Sequence, residues 1–251
     1  MSYDIALMIV SLLIAIVGAY ALVVSVWLMV KYITFNRKEN SAGLTGEQVA
    51  RKILDDNDLQ HIKVKVTGSL MFGNSYSHYF KKVRLRRLTR KERSLTSLGM
   101  GAQKAALAIL DKEGDPDMKK RIRLYPIITF GPFAFIPLIA IGALLDYFVF
   151  SQSGVATLVF AGIALLFYIY ALVLSVLTLK TEKKAQQKAY EILKKDNLVT
   201  DEELGMLKEL FHLYNVQYIT DIIISSLELL YYVLRIMSLL QGNSNSSSSS
   251  K

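Results

Sequence analysis

The sequence predicts a mainly helical membrane protein, with four transmembrane helices and a small cytoplasmic α+β domain split by the second and third spans. Three observations predict it. Charge is segregated: none falls between Asp4 and Lys31, and Asp146 is the single charged residue between Arg123 and Lys180. A soluble helix keeps a polar face along its whole length, so apolar runs this long exclude an ordinary soluble fold. Basic residues are concentrated: residues 31–123 hold 21 of the 30 Lys and Arg, against 10 Asp and Glu. Cysteine is absent from all 251 residues, which excludes a disulfide-stapled secreted scaffold.

Residues 1–32 contain the first span. Residues 5–30 are uncharged and predominantly apolar, a stretch longer than the ~20 residues needed to cross a hydrocarbon core of ~30 Å. No small-residue cleavage site follows, so the segment reads as a retained helix rather than a signal peptide. Residues 33–123 read as the cytoplasmic α+β domain. Leu44-Thr45-Gly46-Glu47-Gln48 has the pattern of a helix start, with Thr45 as N-cap, Gln48 at the capping-box position and Leu44 as staple. Val49, Ile53 and Leu54 form its apolar face. Ile62, Val64 and Val66 alternate with Lys63 and Lys65, and Val83 and Leu85 alternate with Lys82, Arg84 and Arg86. These two strands predict a hairpin with a long loop. A helix is expected from about 93 to 112, with Leu95, Leu98, Ala102, Ala105, Ala106, Ile109 and Leu110 as its apolar positions.

Residues 124–179 predict a membrane hairpin. Its first arm, 124–150, carries Pro126, Pro132 and Pro137, which predict a kinked helix. Ser151-Gln152-Ser153-Gly154 forms the turn. Residues 180–215 read as cytoplasmic helices, one over 182–195 and another opened by a second capping box, Thr200-Asp201-Glu202-Glu203. Residues 216–241 form the fourth span, with Asp221, Glu228 and Arg235 seven apart on one face. A charge at the bilayer centre costs ~2.5–3.5 kcal/mol on insertion scales, so Glu228 should face the bundle. A polar contact between helices is the plainer role, and a proton or ion relay the sharper one. Residues 242–251, rich in Ser and Asn, read as a disordered tail.

Orientation follows from the basic bias. The polar regions 31–123 and 180–215 lie on one side, and the segments on the other side are nearly free of Lys and Arg. This puts the large loops in the cytoplasm and both termini outside.

The order of these parts resembles the bacterial membrane-bound neutral zinc metallopeptidases of the YugP type. Gly43-Leu44-Thr45-Gly46-Glu47-Gln48-Val49-Ala50-Arg51-Lys52-Ile53-Leu54 is similar to that family's G-L-T-G-x-x-V-A-R-x-I-L segment. Val83-Arg84-Leu85, Ser94-Leu95, Leu98-Gly99-Met100 and residues 198–204 match further segments in order. The resemblance implies a zinc site on the helix after the strands, with H-E-x-x-H and a downstream Glu. In this sequence those positions fall on Gln103, Lys104, Leu107 and Lys180. That chemistry requires two imidazoles at i and i+4 on the metal and a Glu to take a proton from its bound water. All four positions depart from it, so the resemblance implies a degenerate member with no catalytic residues, no metal ligands and no cofactor. His61, His78 and His212 have no second His or Cys at ligand spacing and read as ordinary surface or packing residues.

The remaining feature is basic: Lys81, Lys82, Arg84, Arg86, Arg87, Arg90, Lys91 and Arg93, then Lys119, Lys120, Arg121 and Arg123. Basic residues near a membrane gain ~1 kcal/mol each from an anionic leaflet, so lipid headgroups are the expected partner. Nucleic acid is disfavoured because few aromatics are interleaved for stacking. The leading functional expectation is a non-catalytic scaffold that binds membrane proteins, peptides or a membrane protease. The alternatives are an active peptidase with a rearranged site, and transport or proton coupling through the fourth span.

Overall fold

The computed structural model describes residues 3–67, 73–128, 131–150 and 154–248, with backbone alone at 126–128, 131–136 and 239–248. The chain is mainly helical with one small sheet. In order it forms α1 (Tyr3–Arg37), α2 (Gly46–Asp55), β1 (Lys63–Val66), β2 (Ser75–Ser77), β3 (Lys82–Leu85), α3 (Arg87–Lys91) and α4 (Leu95–Lys112). Then come α5 (Pro116–Ile128), α6 (Gly131–Phe148), α7 (Val155–Lys195) and α8 (Asp201–Ser248). Two compact units form: residues 1–23, 124–176 and 218–251 make up one, and residues 24–123 and 177–217 the other.

In the first unit, α1 and α7 are long and apolar enough to cross a membrane. Their surfaces carry side chains that water would not favour, including Met8, Leu12 and Leu22 on α1 and Leu166 and Val173 on α7. Four spans were expected; among the described residues, these two helices have the length and composition of a span. The stretch 124–150, read as one kinked span, takes in the end of α5 and all of α6, with residues 129–130 outside the described residues, and its apolar part with described side chains is the short segment Pro137–Phe148. Residues 151–153 of the expected turn lie outside the described residues. The expected fourth span lies within α8, where Asp221, Glu228 and Arg235 interrupt the apolar run. α8 also carries on to Ser248, so residues 242–248 extend a helix where composition predicted disorder. Once a helix is nucleated, each added residue gains a hydrogen bond at little further cost.

The second unit is built around α4. Ser94 caps it, its side chain accepting from the Ser97 N–H at 3.1 Å. Every residue from Leu95 to Leu110 is buried, so α4 is a central helix rather than an amphipathic one. α2 lies against it, closed by the expected capping box: Thr45 N–H donates to Gln48 Oε1 at 2.8 Å and Gln48 N–H to Thr45 Oγ1 at 3.2 Å. Two glycines allow the close approach. A Cβ built on Gly101 would lie 2.4 Å from the Gly46 carbonyl oxygen, and one on Gly46 would lie 2.1 Å from the Thr89 carbonyl oxygen. The G-L-T-G segment is therefore a packing device as well as a helix start.

The sheet differs from the expected hairpin. Its order is β1-β3-β2, with β1 parallel to β3 and β2 antiparallel to it. The connection between β1 and β3 is long enough for the crossover that a parallel pair needs, and β2, which alternation did not reveal, supplies the antiparallel neighbour. The second capping box forms at the start of α8, and Glu203 within it also accepts from the Ser41 N–H at 2.8 Å, tying the segment after α1 to α8.

Candidate functional site

The positions that the family resemblance assigns to the zinc motif lie on α4, inside the second unit. Gln103, Lys104 and Leu107 are all buried. A polar group on a helix buried on every side needs an internal partner, and Gln103 and Lys104 share one. Glu182 of α7 accepts from Gln103 Nε2 at 2.9 Å and from Lys104 Nζ at 2.7 Å on one oxygen. On the other it accepts from Arg121 of α5 at 3.3 Å. Arg121 also donates to Thr181 Oγ1 at 2.6 Å. Burial alone would raise the pKa of Glu182. The charges and hydrogen bonds of Lys104 and Arg121 outweigh burial and hold it below the ordinary glutamate value. The result is a buried carboxylate neutralised by two cations and an amide. Leu107 points into the apolar core instead.

The acidic residue that reaches α4 is therefore Glu182, where the sequence comparison had put Lys180. Lys180 is exposed. Two residues are about 200° of helix rotation, so positions 180 and 182 face different ways. The available signal was that Glu182 is the first acidic residue after Asp146.

The basic residues separate into distinct roles. Arg121 belongs to the Glu182 cluster, and Arg90 forms a two-pronged pair with Glu47, Nε to Oε2 at 2.6 Å and Nη2 to Oε1 at 2.8 Å. Lys81, Arg86, Arg87, Lys91, Arg93, Lys119, Lys120 and Arg123 are exposed. Lys82 and Arg84 lie on the outer face of the sheet, and the register sets them beside Lys63 and Lys65 of β1. Both cations sit over the exposed ring of Phe80, at 4.8 and 5.4 Å from its centroid. The parallel pairing thus joins four basic side chains that the sequence had left on separate strands.

In the first unit the isolated charges have local partners. Asp146 accepts from the N–H groups of Ala156 at 3.0 Å and Thr157 at 2.7 Å, capping the first turn of α7. Glu228 accepts from the Tyr168 hydroxyl at 2.8 Å, a polar contact between α7 and α8, and the rings of Tyr168 and Tyr232 meet edge to face. Asp221 and Arg235 are exposed. Of the histidines, His212 is exposed on α8, whereas His61 and His78 line one cavity of the second unit together with Asp111. Sequence spacing had treated these two as unrelated.

The central helix α4 thus packs against the helix that the G-L-T-G segment opens. The chain belongs to the family described as "Putative neutral zinc metallopeptidase", whose model matches residues 7–237. It is similar to the "Putative membrane protease YugP" of Bacillus subtilis (strain 168), with 23% identity over 201 residues, covering 80% of this chain and 84% of that protein. No solved structure matches it.

Membership corrects one expectation. The sequence reading assigned no cofactor, but the family is described by zinc, and zinc is the ion it implies for this chain. The residues at the aligned positions do not fit that ion. Zn²⁺ takes imidazole, thiolate or carboxylate donors, whereas these positions offer an amide, two ammonium groups and an isobutyl group, and the nearby carboxylate is already engaged by Lys104 and Arg121. No chemical step is derived through a metal there.

Proposed function

We propose that this chain is a non-catalytic integral membrane protein of its family, which keeps the peptidase scaffold in order to bind membrane proteins or peptides. One observation carries the proposal: Gln103, Lys104 and Arg121 all donate to Glu182. A general base works best with a pKa near the operating pH, and Glu182 is displaced in the opposite direction, by partners it could not release without burying a bare charge. The packing that holds α4, its cap and its glycine contacts with α2 is meanwhile intact. Scaffold without proton-transfer chemistry is what a binding role requires.

The same proposal sets the chain in the bacterial plasma membrane as a four-span protein, with its large polar regions in the cytoplasm and its exposed basic residues against anionic headgroups. The exposed apolar surfaces of α1 and α7 and the concentration of Lys and Arg in residues 31–123 support it.

The test is proteolysis. Full-length chain in detergent, supplied with divalent metal and unfolded casein, should release no peptide above the protein-free control, and a chelator should make no difference. Chelator-sensitive cleavage would overturn the proposal in favour of an active peptidase with a rearranged site. Far-ultraviolet circular dichroism on the same sample establishes that the chain tested is folded.

A further inference from the structure

We propose that the cavity of about 210 Å³ beside β2, the turn leading into β3 and the C-terminal end of α4 binds a phosphoryl group, either inorganic phosphate or the end of a phosphate monoester. Its polar lining consists of His61, Tyr76, His78, Lys81, Asp111 and Lys112. None of these belongs to the Glu182 cluster, the family description uses none of them, and the proposed membrane contact uses Lys81 alone among them.

Asp111 organises the site. Its Oδ2 accepts from the Tyr76 hydroxyl at 2.6 Å and lies 2.6 Å from His78 Nδ1. An ionised carboxylate only accepts hydrogen bonds, so the ring proton belongs on Nδ1, and Nε2 is the nitrogen left for a ligand. The ring is also held edge to face against Tyr79. Lys81 comes next. It has φ 46°, in the left-handed region that a side chain bearing Cβ rarely adopts. In that turn its N–H donates to the His78 carbonyl at 3.3 Å, and its own carbonyl accepts from the Lys63 N–H at 3.0 Å. Its ammonium lies 3.4 Å from His78 Nδ1. Because that nitrogen carries its proton towards Asp111, two donors face one another there, and among the described residues Lys81 has no carboxylate partner. Lys112 donates to the Asn57 carbonyl at 2.7 Å and to Asp58 at 3.1 Å, which leaves one of its three hydrogens unspent.

The cavity therefore gathers two ammonium groups and two imidazoles around one carboxylate that already has two donors. The lysines disfavour a metal ion, since like charges repel strongly at this range. They favour an anion. With its proton on Nδ1, His78 presents Nε2 as an acceptor; an ionised carboxylate has no proton to give it, whereas a singly protonated phosphoryl group donates its P–O–H there while its remaining oxygens accept from Lys81 and Lys112.

The test uses full-length protein in detergent and follows the ³¹P line width of inorganic phosphate at fixed ionic strength. Saturable binding is expected. Lys81→Asn, which suits the left-handed turn, and Lys112→Gln, at an exposed position, should each weaken it at least about tenfold, the loss of about one charge-assisted hydrogen bond. Thermal unfolding checks that both variants fold. Unsaturable binding, or a folded Lys81→Asn chain with unchanged affinity, overturns the proposal. Two further arms separate the sources of the phosphoryl group. Displacement of phosphate by glycerol 3-phosphate alone assigns a soluble ester, displacement by phosphatidic acid in nanodiscs assigns a headgroup, and displacement by neither assigns inorganic phosphate itself.

Discussion

Glu182 sits at the junction of α4, α5 and α7, where it balances Lys104 and Arg121. Removing one member of a buried ion cluster leaves an uncompensated charge, at a cost of about 3–5 kcal/mol. The cost should depend on which member is removed. Glu182→Gln strands two cations and should lower stability by roughly that amount, whereas Lys104→Met leaves Arg121 to neutralise the carboxylate and should cost less. Denaturant unfolding of the two variants should rank them in that order; equal effects would mean that Lys104 alone balances the site. The pH dependence has a definite sign. Glu182 and Glu203 both titrate below the ordinary glutamate value, in each case because hydrogen bonds and nearby cations outweigh burial. Their stabilisation is fully present above the unfolded value of about 4.3 and is lost as pH falls through the lower folded values. The melting temperature should therefore decline as pH is lowered from about 5, and Glu182→Gln should make that decline shallower. The partners of Glu182 could not be read from the sequence, because they lie 61 to 79 positions away. His61, His78 and Asp111 are hidden in the same way. Only the folded chain brings them to one cavity.

At the scale of elements, the features legible in the sequence are the local ones. Both capping boxes, the apolar face of α2 and the buried positions of α4 depend on residues within one or two helical turns, and they form as their patterns require. The sheet was read correctly in strand position and wrongly in direction. Alternation reports which side of a strand is buried, and it says nothing about whether the neighbouring strand runs parallel. The three-residue β2 is too short to show any alternation at all. The contact between α2 and α4 supplies the prediction at this scale. Gly101→Ala would press a methyl group against the Gly46 carbonyl, a backbone atom that cannot swing away as a side chain can. Overpacking of this kind costs about 1–3 kcal/mol. Gly205, whose Cβ would meet nothing within 4 Å, is the control; its change to Ala should stabilise α8 by roughly 0.5–1 kcal/mol through helix propensity. Chemical denaturation of the two variants should move in opposite directions, and a Gly101→Ala chain as stable as the parent would mean that the two helices can part without loss.

For the whole molecule, the helices are longer than a bilayer requires. At 1.5 Å per residue, the 41 residues of α7 span about 60 Å, roughly twice the thickness of a hydrocarbon core. Its charges begin only at Lys180, so one continuous helix has an apolar half suited to lipid and a polar half suited to water. The sequence divided this helix at that charge boundary because composition changes there, although the backbone does not break. The proposed topology then makes a sharp prediction, for which a chain without cysteine is a convenient background. Lys65→Cys in β1 and Lys195→Cys at the end of α7 replace exposed residues in the two polar regions assigned to the cytoplasm. Gln152→Cys falls in the sequence that joins the second and third proposed spans. In intact cells an impermeant maleimide should label position 152 and spare positions 65 and 195, and permeabilisation should expose all three. Labelling of 65 and 195 in intact cells, with 152 protected, would invert the topology. Labelling of 65 without 195 would require an odd number of crossings between them and so remove one arm of the proposed hairpin. Either pattern would also carry the basic sheet face and its proposed headgroup contacts away from the cytoplasmic leaflet, because Lys65 belongs to that face.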